Sequence, residues 1–282
     1  MLTIIQNTFR EALAKKIFIG YYIFYAIVIL IMIFLVNMDS VEGVMSLADS
    51  KMLVQQVETG FLTISWNLII FFSLISTASF IPSMLEKGTI DLLISKPISR
   101  PMILFSKFLG AVLFVFLSMV FLLGSMWLIL SLKSGYWDPM FLLSILWITL
   151  AFATMYSIVV IIGLTTQSTV VAILVNFFLI FVLCPLLSTR EGVVFTLVSN
   201  ETVKFIFDFL YYLLPKPGEF RDIATSMING DQINMWKSTA NAETGLFTVS
   251  CFRQLALFCL CLLLWRILYF TFPKKITNNN YQ

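Results

Sequence analysis

The sequence predicts an all-α integral membrane protein with six transmembrane helices and both termini in the cytoplasm. Three observations carry that reading. Of the 282 residues, 60% are apolar and 12% are charged, and the mean hydropathy is +0.96. The apolar residues fall in long runs without charge rather than in alternation, which excludes an outer-membrane barrel. Lys and Arg are divided very unevenly between the segments that join those runs. A soluble domain of this size could not hide so much apolar surface, and a disordered chain would carry far less of it.

The spans follow from the runs in order. Ile17–Met38 holds 22 residues, Thr59–Leu85 holds 27 and Phe108–Leu132 holds 25. Each exceeds the ~20 residues needed to cross about 30 Å of hydrocarbon. Pro139–Thr189 is 51 residues without a charge, which suits two helices with a tight turn at Gly163–Thr169. A sixth span covers Gln254–Phe272 and contains Arg266, close enough to the inner boundary to snorkel to it. The expected helical spans are therefore about 17–38, 60–84, 104–132, 140–163, 169–188 and 252–272.

Orientation follows from charge. With the N-terminus inside, the short inner segments hold nine basic residues: Arg10, Lys15, Lys16, Lys87, Lys96, Arg100, Lys107, Lys274 and Lys275. The short outer loops hold only Lys51 and Lys133, while twelve of the fifteen acidic residues fall outside. The first apolar run reads as a signal anchor, since it is too long for a signal h-region and has no small-residue cleavage site. Residues 1–16 place Leu2, Ile5, Phe9 and Leu13 on one face, with Arg10, Lys15 and Lys16 positioned to meet anionic lipid heads. That pattern predicts an amphipathic helix along the inner membrane surface, with a simple cytosolic helical start to span 1 as the alternative.

Several function classes are excluded. There is no histidine, which removes Ser-His proteases, HExxH zinc proteases and His-dependent membrane acyltransferases in their usual forms. No P-loop is present, so nucleotide hydrolysis of that kind needs a separate subunit. The apolar runs that mark spans 1 to 5 contain no Asp, Glu, Lys or Arg, which argues against an ion-driven carrier and a voltage sensor. Cys184, Cys251, Cys259 and Cys261 lie in or beside apolar runs and read as packing residues, with a Cys184–Cys251 disulfide as the alternative. No catalytic residue, metal site or cofactor is expected in this chain, and no nucleic-acid partner.

The mild polar content of the spans is concentrated in the second. Ser65, Ser73, Ser76 and Ser79 fall within a sector of ~120°. Span 5 carries Asn176. These groups either bond to backbone and neighbouring helices or line a polar path. The segment Met38–Glu58 is net negative and reads as a solvated outer loop, with an extracytoplasmic partner or a cationic substrate as the alternative.

The most informative segment is the inner loop 86–101, Glu86-Lys-Gly-Thr-Ile-Asp-Leu-Leu-Ile-Ser-Lys-Pro-Ile-Ser-Arg-Pro. Gly88 allows a sharp turn, Thr89 is an N-cap, and Asp91 suits the positive end of the helix that follows. Lys96 suits its C-terminus, Pro97 stops it, and Ser99 caps the next helix. Ile90, Leu92, Leu93 and Ile94 are apolar yet lie just outside the membrane, the composition of a docking surface, with an interfacial helix dipping into lipid as the alternative.

Through Glu86, Gly88, Thr89, Leu92, Leu93, Pro97, Ser99, Arg100 and the following Lys107, the chain resembles the ABC-2 type permeases, the membrane subunits of type V ABC transporters. The resemblance implies a single transmembrane domain over 1–282 with a coupling helix in the loop 86–101. It also implies an outer segment 189–251 with short re-entrant helices between spans 5 and 6. Val203–Leu214 is the candidate, with Pro215-Lys-Pro-Gly after it as a turn. The implied partners are a separate ABC ATP-binding subunit, which holds ATP and Mg, and a second permease copy or homologue, with spans 2 and 5 lining the path. The implied place is the cytoplasmic membrane of a prokaryote, in contact with lipid, and the implied activity is export. A membrane transporter or accessory protein working without an ABC ATPase is the competing reading.

Overall fold

The computed structural model describes residues 16–35, 47–82, 100–189 and 201–229. The predicted interfacial helix 1–16 (save its last residue), most of the loop 86–101 and the sixth span 252–272 lie outside the described residues. All regular elements among the described residues are helical. They are α1 (Lys16–Leu35), α2 (Leu47–Ala78), α3 (Arg100–Ser134), α4 (Met140–Thr166), α5 (Thr169–Ser188), α6 (Glu201–Leu213) and α7 (Pro217–Ile228). Within α2, α3, α4 and α5 lie four segments long and apolar enough to cross a membrane. In α1, Ile19–Ile31 forms a shorter apolar stretch.

Side-chain contacts fix the threading. Tyr21 and Phe24 of α1 meet Ser73 and Phe72 of α2, so these helices run antiparallel. Tyr22 meets Ser118 and the Ile33 carbonyl meets Lys133, so α1 and α3 run parallel. Tyr156 of α4 reaches the Thr77 carbonyl, and Gly163 lies against Ile81 and Pro82, so α2 and α4 also run parallel. The chain therefore crosses back and forth. One end of the bundle holds Lys16, Ala78, Arg100 and Thr166, and the other holds Leu47, Ser134, Met140, α6 and α7.

α4 is the central helix. Two thirds of its most apolar stretch (67%) is buried, against 22% for α5. It carries no charged residue, and Ala151, Ala153, Ser157 and Gly163 let neighbours approach closely. α5 instead exposes Val170, Leu174, Phe178 and Val182. Its middle, Leu179–Leu183, is a π-helical turn, with the Cys184 amide donating to the Leu179 carbonyl five residues back. Pro185 explains it, since Pro185 has no N–H for the Phe181 carbonyl and the helix widens by one residue to pass it.

Several boundaries differ from the sequence expectation. α2 begins at Leu47, not near residue 60, and ends at Ala78, with a turn over 79–82 where helix to residue 84 was expected. The expected solvated loop Met38–Glu58 is thus helical from Leu47 onward. The reason is that Leu47–Glu58 contains neither Gly nor Pro, and Glu58, taken as a stop signal, is buried within the helix. The α4–α5 turn is shorter than Gly163–Thr169. Helix continues to Thr166, and Gln167 turns the chain in the left-handed region (φ 54°), its N–H bonded to the Gly163 carbonyl. Pro217 and Gly218 belong to the first turn of α7 rather than to a preceding turn, because Pro is tolerated at N1.

Inside the bundle, hydroxyls are satisfied in relay. Tyr25 donates to Tyr21, Tyr21 to Ser73 Oγ at 2.9 Å, and Ser73 to the Ile69 carbonyl at 2.7 Å. Tyr22 likewise bonds Ser118 at 3.1 Å, and Ser118 donates to the Phe114 carbonyl. These relays pin α1 to both α2 and α3. Removing one member of a buried relay strands its neighbour, at a cost of about 1–3 kcal/mol. Tyr21→Phe should therefore lower thermal stability in detergent more than Tyr25→Phe does. The double variant should be less destabilised than the sum of the two; strict additivity would show that the hydroxyls do not act together.

Candidate functional site

At the Leu47 end, α7 lies in the groove between α2 and α4. Its own sequence starts it well: Pro217 occupies the first turn and Glu219 sits near the positive helix end, paired with Lys216 at 3.1 Å. Lys216 also lies over the Tyr211 ring, joining α7 to α6. Phe220, Ile223, Ala224 and Ile228 are buried. Two side chains of α2 hold the two ends of α7. Trp66 Nε1 donates to the Pro217 carbonyl at 2.9 Å, and Gln55 Nε2 donates to the Ile228 carbonyl at 2.7 Å. The second bond matters because the last carbonyls of a helix have no partner within it. On the other wall, Trp147 of α4 donates to Met227 Sδ at 3.3 Å and packs its ring on Phe220.

The α3–α4 turn completes this end. Asp138 accepts from the Met140 N–H at 2.9 Å and so caps α4, while its carbonyl accepts from Trp127 Nε1 at 2.7 Å. Trp127 and Trp137 stack edge to face. Burial first, and then the nearby acids Asp138 and Glu58, hold the Tyr136 phenol above its ordinary range. Cys184 is a free thiol, donating weakly to the Pro215 carbonyl at 3.8 Å, so it is not in the disulfide offered as an alternative.

The polar residues proposed for spans 2 and 5 are placed as follows. Ser73 and Ser76 are buried, and Ser65 and Ser79 are half-buried. Ser65, Ser73 and Ser76 each donate to the carbonyl four residues back. Ser73 also faces α1 through Tyr21. Phe71 of α2 meets α5 through ring contacts with Phe177 and Phe181. Two residues at ~100° each separate Phe71 from Ser73, so the α5-facing side and Ser73 lie on different flanks of α2. Asn176 is fully buried; its Nδ2 donates to the Ala172 carbonyl at 3.0 Å, and its Oδ1 has no partner.

Of the loop residues, Glu86, Gly88, Thr89, Leu92, Leu93, Pro97 and Ser99 lie outside the described residues. Arg100 is the first residue of α3, with Pro101 in its first turn. Lys107, assigned to an inner segment by sequence, sits two turns into α3 and is 4% exposed. The loop leaves α2 and enters α3 at the bundle end opposite α7.

Sequence reasoning missed three features of this site. Glu58 reads as a boundary in the sequence, yet it is 0% exposed. The tyrosines of α1 went unread, although hydroxyls at positions 21, 22 and 25 of an apolar run need partners. The helix α7 was hidden because its apolar residues are few and a Pro–Gly pair opens it; the spacing of Phe220, Ile223, Ala224 and Met227 was the available signal.

No curated protein matches the chain. The family described as ABC-2 family transporter protein matches it over residues 2–274. That span takes in the loop with Leu92 and Leu93, all seven described helices and the sixth apolar run. An ABC-2 protein is a membrane permease component, and the family implies an ABC ATP-binding partner. With nearly its whole length matched and its apolar helices threaded back and forth, the chain belongs to the ABC-2 family of transporter proteins, as a multi-pass membrane permease component of an ABC transporter.

Proposed function

We propose that this chain is the permease subunit of an ABC exporter, forming the transmembrane path and coupling ATP hydrolysis in a separate ATP-binding subunit to export. The family match over residues 2–274 carries the reading. ATP and Mg bind in the partner. The loop 86–101 is the coupling surface, with Leu92 and Leu93 as its apolar contact and Glu86, Gly88, Thr89, Pro97, Ser99 and Arg100 shaping its turns and caps. The threading supports this, because the loop lies in sequence between two long helices, α2 and α3. At ~1.5 Å per residue, α2 and α3 are about 48 and 52 Å long, so a push on the loop reaches the far end of the bundle.

A second copy or a homologue pairs with the chain, and spans 2 and 5 contribute Ser65, Ser73, Ser76, Ser79 and Asn176 to the path. The apolar, exposed flank of α5 supports pairing there. The charge bias supports a cytoplasmic loop, with α6 and α7 on the outer side. In this reading the membrane is the cytoplasmic membrane of a prokaryote. An extracytoplasmic partner would meet the chain on the α6–α7 side.

Replacing Leu92 and Leu93 with Asp should abolish copurification of the ATP-binding subunit while the permease stays in the membrane. Copurification at the wild-type level would refute the coupling surface. Ser76→Trp tests the path. A path-lining position predicts an assembled complex that does not transport. A packed position predicts low abundance, because overpacking costs ~1–3 kcal/mol. Normal assembly with normal transport would place this face toward lipid.

A further inference from the structure

Glu58 is the one acidic side chain among the described residues whose carboxylate oxygens are both buried and both without a hydrogen-bond partner. The residue is 0% exposed. It sits on the face of α2 that carries Gln55 three residues before and Trp66 eight residues after. Those two residues hold the ends of α7, so Glu58 lies under the length of that helix.

The charged groups around it do not neutralise it. Asp138, at the α3–α4 turn, is within electrostatic range and has the same sign. On α7, Arg221 pairs with Asp222 at 2.9 Å. At the start of α7, Lys216 pairs with Glu219. On α3, Lys133 donates to the Ile33 carbonyl. α4 has no charged residue. Lys51 of α2 is exposed, two turns away from Glu58. Asp138 has what a carboxylate needs, an N–H from the start of α4 and the positive end of that helix. Glu58 has neither. An ionised carboxylate without a partner in such a place costs several kcal/mol, and a second negative charge nearby adds to it. Both oxygens are covered, so the smallest cation is the one that fits without moving a helix.

We propose that Glu58 is a proton-binding site at the α2–α7 junction, occupied at neutral pH, and that its proton lets α7 lie across α2. Asp138 caps α4 through its bond from the Met140 N–H. The pair thus divides its roles: one acid is satisfied by a helix end, and the other by a proton. This inference does not depend on the exporter reading, because it concerns the packing of this chain alone.

Infrared spectroscopy of the purified full-length chain in lipid nanodiscs at pH 7 tests it. Subtracting Glu58→Gln from wild type should leave a protonated-carboxyl C=O band that shifts in D2O. The same band should be lost in Glu58→Met and kept in Asp138→Asn. A wild-type sample grown with 13C-glutamate assigns the band to a glutamic acid without any variant, should the variants fold poorly. A difference spectrum containing only carboxylate stretches, or a wild type without a 13C-shifted carboxyl band, would overturn the proposal.

Discussion

The pinning of α7 to α2 is the interaction on which the arrangement of the bundle's Leu47 end depends. Two hydrogen bonds, Trp66 to Pro217 and Gln55 to Ile228, tie a short helix of modest apolar content along 11 residues of a long one. Without them, α7 would rest on four buried apolar residues and the Trp147 contacts, little for a helix of 12 residues. α4 then supplies the second wall of the groove, and α5 closes on α2 through Phe71. Because α2 also leads toward the loop at the opposite end, it is one of the helices that connect the two ends of the described bundle.

The bundle interior obeys the rule that a polar group in an apolar medium must find its partner inside the protein. Serine and threonine hydroxyls return to their own helix, and the tyrosines of α1 hand their hydrogens along a chain to Ser73 and Ser118. The exceptions among the described residues are Glu58 and the Asn176 oxygen. They lie on the two helices proposed to border the path. Each is a place where the fold keeps a polar atom that a purely structural helix would do without.

Much of the architecture was legible in the sequence because membrane helices announce themselves by length and charge. The ends of α4 and α5 near residues 140, 169 and 188 followed from the uncharged run and its one polar break. The start of α2 did not, because a charge is a stop signal only when it faces water, and Glu58 does not. The loop chemistry around Leu92 and Leu93 was readable residue by residue, since caps and breakers act locally. The position of the serine sector was not. The sequence shows that Ser65, Ser73, Ser76 and Ser79 share a side of α2, but only the threading shows that Ser73 meets α1 while Phe71 meets α5. α7 depended on long-range partners, Gln55 and Trp66, more than 150 residues earlier, which no local pattern encodes.

The central claim is that force on the loop end travels along α2 to the helix it carries at the other end. Pulsed electron resonance distances in the chain assembled with its ATP-binding subunit test this directly. Labels replace exposed Asp222 on α7, Met52 on α2 and Leu132 on α3, in a background without the native cysteines. Trapping ATP in the partner should shift the 222–132 distance while the 222–52 distance holds, since α7 moves with α2. Unchanged distances on both pairs while the ATP-binding subunit turns over ATP would contradict the account.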